Sequence, residues 1–236
     1  MRAAEYCGGA RTAAPGCAII GRMDLSAGDV VELGESGVSA VVAVAGRRGS
    51  PGLDAVLRSH LAATAGVPAD DVELDHACAE CGARHGSPTV RYPTTPSGAR
   101  WFADAAVSGG VVVAAVGTRH PLGVGVEVAA ADVAPLVDEV ALHPEERARL
   151  EALDAASRPL VRAALWARKA ALLRALGHAG VIEPSRLAVT LPGEDDGVGR
   201  ITSPVPEFGS RWDEVRLHDI AVRGRVAASV AVLPRS

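Results

Sequence analysis

Aromatic residues are scarce in this chain: they make up 3% of its 236 residues, while 48% are hydrophobic. Its core must therefore be built from Ala, Val and Leu. Lysine is scarcer still. Lys169 stands alone beside 23 arginines, a bias that, with the abundance of Ala and Val, reads as a high-GC genome. The net charge is −4 with acids and bases interspersed. Lacking a basic stripe or an aromatic platform, the chain is not read as a nucleic-acid binder. Long apolar runs are missing too: Val111 to Val116 and Val226 to Leu233 are of strand length, far below a membrane span. The N-terminus has Arg2 but no apolar core of secretory length, so a cytoplasmic protein with no membrane partner is expected. Four cysteines, Cys7, Cys17, Cys78 and Cys81, do not make a disulfide framework in a chain this long.

The length suggests one large domain or two small ones. Residues 1–25 are Gly/Ala-rich and read as a weakly structured leader, followed by an N-terminal half (26–110) and a C-terminal half (111–236) joined around 105–120. Ala40 to Ala45 predicts a buried strand and Leu53 to Ala65 a helix stopped by Gly66 and Pro68. Val72 to Leu74 predicts a short strand, and Asp75 to Gly98 a polar segment. Val111 to Val116 and Val124 to Val128 predict two strands with the character of a hairpin, turning at Arg119-His120-Pro121. A helical region from Pro144 to about Leu176 is broken near Ser157–Pro159. Leu187 to Leu191, Glu214 to Leu217 and Val226 to Leu233 predict closing strands. The order helix, Gly stop, Pro-containing turn and strand occurs twice, at 53–74 and 144–191. This weak repeat predicts an α+β fold of two pseudo-symmetric α/β halves with a ligand cleft between them.

Two residues stand out chemically. Where Arg has replaced Lys almost everywhere, the remaining Lys169 is a candidate for a role only an ammonium can fill: a compact charge with an adjustable pKa. The competing reading is a surviving surface lysine. Trp166, three residues earlier, lies on a neighbouring turn and suits a pocket wall, though a core role is the better expectation for an isolated Trp. On the strand Val124 to Ala129, alternation places Gly125, Glu127 and Ala129 on one face. A carboxylate between small residues suits a ligand or metal, against the plain reading of a solvated strand face.

Several segments resemble those of surfactin-type 4′-phosphopantetheinyl transferases. Leu122-Gly123-Val124-Gly125-Val126-Glu127-Val128-Ala129 resembles their "V-G-V-D-V-E" strand, and Leu142-His143-Pro144-Glu145-Glu146 their "F-x-P-x-E" helix start. Leu165-Trp166-Ala167-Arg168-Lys169-Ala170-Ala171 resembles "W-x-x-K-E-A". Cys78 to Pro88 resembles the "C-x-x-C-G-x-x-H-G-R/K-P" version of actinobacterial members, and Phe102 to Gly109 falls where "F-x-x-S-H-S-G" stands. The similarity covers about residues 35–235, in matching order. It implies transfer of phosphopantetheine from coenzyme A to a carrier-protein serine, with Mg²⁺ on the pyrophosphate.

The departures converge on one ligand. On the strand the family Asp is Glu127 and the Glu two residues on is Ala129; the Glu after the lysine is Ala170. The coenzyme-contacting His is Val107, and the basic residue before Pro88 is Ser87. Charged hydrogen bonds to phosphate are each worth about 1.5–3 kcal/mol, so losing several weakens coenzyme A binding by orders of magnitude. The leading expectation is a repurposed scaffold in a biosynthetic pathway of secondary metabolism. It requires no cofactor, and it binds or converts a small or carrier-tethered intermediate. Glu127 and Lys169 are its catalytic candidates, with Trp166, Ser108, His85 and Asp104 in the pocket. One alternative is a working transferase using Mg²⁺ on Glu127 and coenzyme A. Another is a non-catalytic partner or regulator of an acyl or peptidyl carrier protein.

His76-x-Cys78-x2-Cys81-x3-His85 offers four zinc-type ligands at tight spacing, against the reading of a structural loop. Cys78 or Cys81 with His85 lacks a third orienting group for nucleophilic work. Gly197-Val198-Gly199 is too short for a phosphate loop, Glu194-Asp195-Asp196 reads as a solvated turn, and Arg119-His120-Pro121 reads as an exposed one.

Overall fold

A computed structural model describes residues 29–45, 52–77, 81–83, 87–177, 182–195 and 197–235. The 1–25 leader, Cys7, Cys17, Cys78 and His85 lie outside the described residues. The first part runs β1 (Val30–Glu32), β2 (Val38–Val44), α1 (Leu53–Ala65), β3 (Glu73–Asp75), β4 (Thr89–Thr94), β5 (Arg100–Ser108) and β6 (Val111–Gly117). Its strands form one sheet in the order β1-β2-β6-β5-β4-β3. The second part runs β7 (Leu122–Val128), α2 (Pro135–Ala141), α3 (Pro144–Ala152), α4 (Arg158–Ala175), β8 (Ala188–Val189), β9 (Val198–Gly199), β10 (Ile201–Ser203), β11 (Arg216–Ile220) and β12 (Val226–Val232). Here the sheet order is β7-β12-β11-β9, with β8 and β10 paired separately. Every pairing is antiparallel. The class is α+β. Among the described residues no helix is long and apolar enough to cross a membrane.

The two sheets pack face to face. One apolar cluster joins Val38, Ala40 and Val42 of β2 and Val113 and Ala115 of β6 to Val124 and Val126 of β7 and Val226, Ala228 and Val230 of β12. The outer face of the first sheet is covered by α1, whose Val56, Leu57 and Leu61 meet Val112, Ala114 and Val116. The outer face of the second is covered by α4. The layers are therefore helix, sheet, sheet, helix. β6 and β12 read as nearly unbroken apolar runs because both of their faces are buried.

Two strand expectations change. β6 pairs with β2 and β5, while β7 pairs with β12, so β6 and β7 are not a hairpin. The hairpin is β5–β6, turned by Gly109 and Gly110 at φ 57° and 76°, the left-handed pair that a tight two-residue turn needs. The chain changes sheets at 118–121, later than the division at 110/111. The polar segment 75–98 also contains a strand, β4, whose register with β5 is irregular. Pro93 has no N–H to give the ladder there.

The small residues explain how α4 sits. A Cβ on Gly125 would lie 2.0 Å from the Ala167 carbonyl oxygen, and one on Gly123 2.3 Å from that of Ala171. The glycine face of β7 is thus filled by helix backbone, where the sequence suggests open space beside Glu127.

Candidate functional site

Lys169 is not at a surface. It is 2% exposed on the inner side of α4. Its ammonium lies 2.5 Å from Glu146 Oε2 and donates to the carbonyls of Ala141 and Pro184, both at 2.9 Å. An ammonium has three N–H groups, so none is left for a ligand. Burial holds the Lys169 pKa down, and Glu146 opposes that shift. Glu146, 2% exposed, accepts from His143 N–H at 2.8 Å through Oε2 and from Val189 N–H at 2.8 Å through Oε1. The first of these bonds belongs to the capping box that starts α3. The lone lysine is a strut tying α2, α3, α4 and the segment at Pro184 together.

Glu127 and Trp166 do come together. They line a cleft of about 90 Å³ with Val128, Val133, Val137 and Arg162. Burial pushes the Glu127 carboxyl up, against a hydrogen bond from the Val128 N–H. Arg162 Nε is held 2.9 Å from Asp138 Oδ2. Asp138 Oδ1 and Trp166 Nε1 are buried without a partner among the described residues. Of the described residues, Glu127 is the only carboxylate lining this cleft, and a guanidinium lines it too. That donor set does not fit Mg²⁺, which asks for well-placed oxygen ligands. Among the described residues no group of three His, Cys, Asp or Glu side chains is placed to hold a metal.

Asp104 has a different neighbourhood. It is fully buried and its Oδ2 accepts from Val124 N–H at 2.7 Å and Arg174 Nε at 2.8 Å, while Oδ1 accepts from Arg174 Nη2. One carboxylate on the first sheet thereby grips the second sheet and α4. Ser87 adds a second tie, donating to the carbonyls of Leu122 and Arg174 at 3.1 and 3.3 Å. Beside this junction lies a cleft of about 180 Å³ lined by Ser87, Thr89, Arg100, Trp101 and Arg174. The Arg174 side chain is 31% exposed, and its Nη1 has no partner among the described residues. A bidentate grip on Nε and Nη2 leaves Nη1 as a pre-oriented donor on a residue that lines the cleft.

No protein-family model matches the chain, and the search of curated proteins returns no significant match.

The remaining candidates are dispersed. Ser108 ends β5 at the Gly109-Gly110 turn, which abuts Val128 at the end of β7: a Cβ on Gly109 would lie 2.5 Å from Val128 Cγ2. His76 Nε2 lies 3.1 Å from Asp54 Oδ1 and Cys81 is exposed; the other two zinc-type ligands, Cys78 and His85, are outside the described residues. The acidic turn is not simply solvated. Asp195 is 7% exposed and 3.0 Å from Arg168, while Glu194 pairs with Arg149 at the surface. Asp196 lies outside the described residues.

Sequence reasoning passes over Arg168 and Arg174. Arg168 is fully buried. It donates to both oxygens of Asp219 at 3.0 and 2.7 Å and to Thr190 and Asp195. Gly199 makes room for it, since a Cβ there would lie 2.6 Å from the guanidinium carbon. The available signal is the row Arg168, Ala171, Leu172, which places a guanidinium on the apolar stripe of a helix.

Proposed function

We propose that the chain is a divergent phosphopantetheinyl transferase-like scaffold, repurposed to bind or convert a small or carrier-protein-tethered intermediate in the cleft between two pseudo-symmetric halves. The observation that carries this reading is Arg174, oriented by buried Asp104 across the junction of the sheets, lining the cleft and with Nη1 unpartnered among the described residues. The idea of two related halves is supported by the strand orders. In β2-β6-β5-β4 and β7-β12-β11-β9, the first strand of each set in sequence lies beside the last, and a covering helix follows the first strand.

The family's usual Mg²⁺-dependent transfer is disfavoured on two counts. Glu127 has no second carboxylate in its cleft among the described residues, and Lys169 has no donor to spare. The test is to incubate the protein with coenzyme A, Mg²⁺ and apo carrier proteins and to weigh the carriers. The expected result is no added phosphopantetheine arm; prompt stoichiometric addition would overturn the repurposed reading. In parallel, phosphopantetheine and holo carrier protein are titrated into wild type and Arg174→Gln. The variant is expected to bind about tenfold more weakly or worse, since a charged hydrogen bond is lost.

A second reading, a non-catalytic carrier-protein partner, is favoured by the apolar side chains exposed around α2: Leu136 at 67%, Val140 at 56% and Val128 at 37%. Carrier binding that survives Arg174→Gln but is lost in Leu136→Asp would select it.

A further inference from the structure

A third cleft, of about 360 Å³, opens where the turn at 33–36 faces the strands β9, β11 and β12. It does not depend on the function proposed above. Strand alternation builds its floor. Leu217 and Asp219 of β11 turn toward α4, where Leu217 packs in the core and Asp219 grips Arg168. Arg216 and His218 therefore point the other way. On neighbouring β9, Gly199 lies against Arg168, which sends Val198 and Arg200 to the same side as Arg216 and His218. All four line the cleft.

The cations there are poorly matched by acids. The Arg216 guanidinium spends only Nη1, on the carbonyls of Asp213 and Val215 at 2.7 and 3.0 Å. The Arg200 guanidinium has no partner among the described residues. Of the two lining carboxylates, Glu214 has both oxygens taken by Arg211 at 2.7 and 2.6 Å, and Glu35 is exposed at the rim. His218 Nε2 is buried without a partner among the described residues. Its imidazole is held below its usual pKa by burial and by Arg216. His120, read from the sequence as part of an exposed turn, is half-buried with Nδ1 3.1 Å from the Leu233 carbonyl. Val198, Val232 and Leu233 supply an apolar wall.

We propose that this cleft binds a phosphate monoester, its phosphate on the open forks of Arg200 and Arg216 and its organic part against the apolar wall. Two guanidiniums and an imidazole offer several donors in different directions, which suits a tetrahedral dianion better than a flat carboxylate. The unpartnered Nε2 of His218 adds a further polar atom on a residue lining the same cleft.

The test is an amide NMR titration of the full chain at low salt with phenyl phosphate, benzoate and inorganic phosphate. Phenyl phosphate is expected to shift residues 33–36, 198–200 and 216–218, and to bind more tightly than the other two. Arg200→Gln, at an exposed position that should not disturb folding, is expected to weaken it about tenfold. Arg200→Gln with Arg216→Gln is expected to abolish it. Arg174→Gln, which alters the cleft at the junction of the sheets, is expected to leave it unchanged, so failure here and failure of the proposed function are separable. The proposal is overturned if phenyl phosphate fails to bind below about 10 mM or binds the folded Arg200→Gln variant equally well. It is also overturned if benzoate or inorganic phosphate binds as tightly, which would leave an anion site without ester selectivity.

Discussion

The two helix-on-sheet packings are built from different materials. α1 meets its sheet with Val56, Leu57 and Leu61, and the polar residue it buries is His60, hydrogen-bonded to Ser39. α4 meets its sheet with alanines against Gly123 and Gly125, and it buries Arg168 at 0% and Lys169 at 2% exposure. The difference teaches where close approach leads. Small residues bring the α4 backbone against β7, so large side chains must leave the helix sideways, and the longest of them reach acids on distant segments. The α1 half is held by apolar area, and the α4 half by area plus paired charge.

The sharpest way to break this comparison is to remove one partner of the buried pair. Lys169→Met is expected to destabilise the fold by about 3–5 kcal/mol, because Glu146 is left in the core without its ionic partner. Adding Glu146→Gln should recover much of the loss. Chemical denaturation of the two single variants and the double variant measures this. A Lys169→Met variant as stable as wild type would remove the ionic strut from the account.

Next in size is the close approach itself. Gly125→Ala is expected to cost about 3 kcal/mol or more, since its Cβ meets helix backbone that cannot step aside. Gly66→Ala, at the end of α1, has no atom within 4 Å of the new Cβ and suffers only the left-handed backbone cost of about 1–2 kcal/mol. Equal melting temperatures for the two variants would show that α4 can shift.

The smallest effects are in the pH dependence, and they have opposite signs. Burial lowers the His60 pKa from 6.5 in the folded state. The unfolded chain therefore takes up the proton first, and stability contributed by the α1 half is lost as pH falls below about 6.5. Burial raises the Glu127 pKa from 4.5. Here the unfolded chain ionises first, so stability falls as pH rises from about 4.5 through the folded value. Thermal melts from about pH 4 to about pH 8, chosen to span both windows, should show a flatter acid limb in His60→Gln. Glu127→Gln should be more stable than wild type near neutrality and no different at the acid end. A Glu127→Gln variant less stable at neutral pH would show that the hydrogen bond from Val128 outweighs the cost of burial.

Elements with a local cause are legible. α1 runs over Leu53–Ala65 as its apolar spacing and Gly66 predict, and the break between α3 and α4 falls before Pro159. β4 is hidden because Pro93 and the surrounding polar residues read as loop. A β6–β7 hairpin is suggested because both strands are apolar and close in sequence, whereas the tight turn chemistry sits at Gly109-Gly110. At the candidate site, Glu127 and Trp166 share a cleft, while Lys169 is fully occupied elsewhere. A lysine unique in composition looks the same in sequence whether it meets a phosphate or a buried glutamate.

The sequence by itself determined the periodicities, and with them α1, α3, α4, seven of the twelve described strands and a core of small aliphatic side chains, while α2 and the nine-residue β5 went unread. The tertiary structure alone decided which strands pair and where the charges on α4 end. Arg168 finds Asp219 51 residues away, and Arg174 finds Asp104 70 residues away. The physical reason is range. A repeat of 3.6 or 2 residues fixes which way a side chain points relative to its own element, but its partner is set by how separate elements stack.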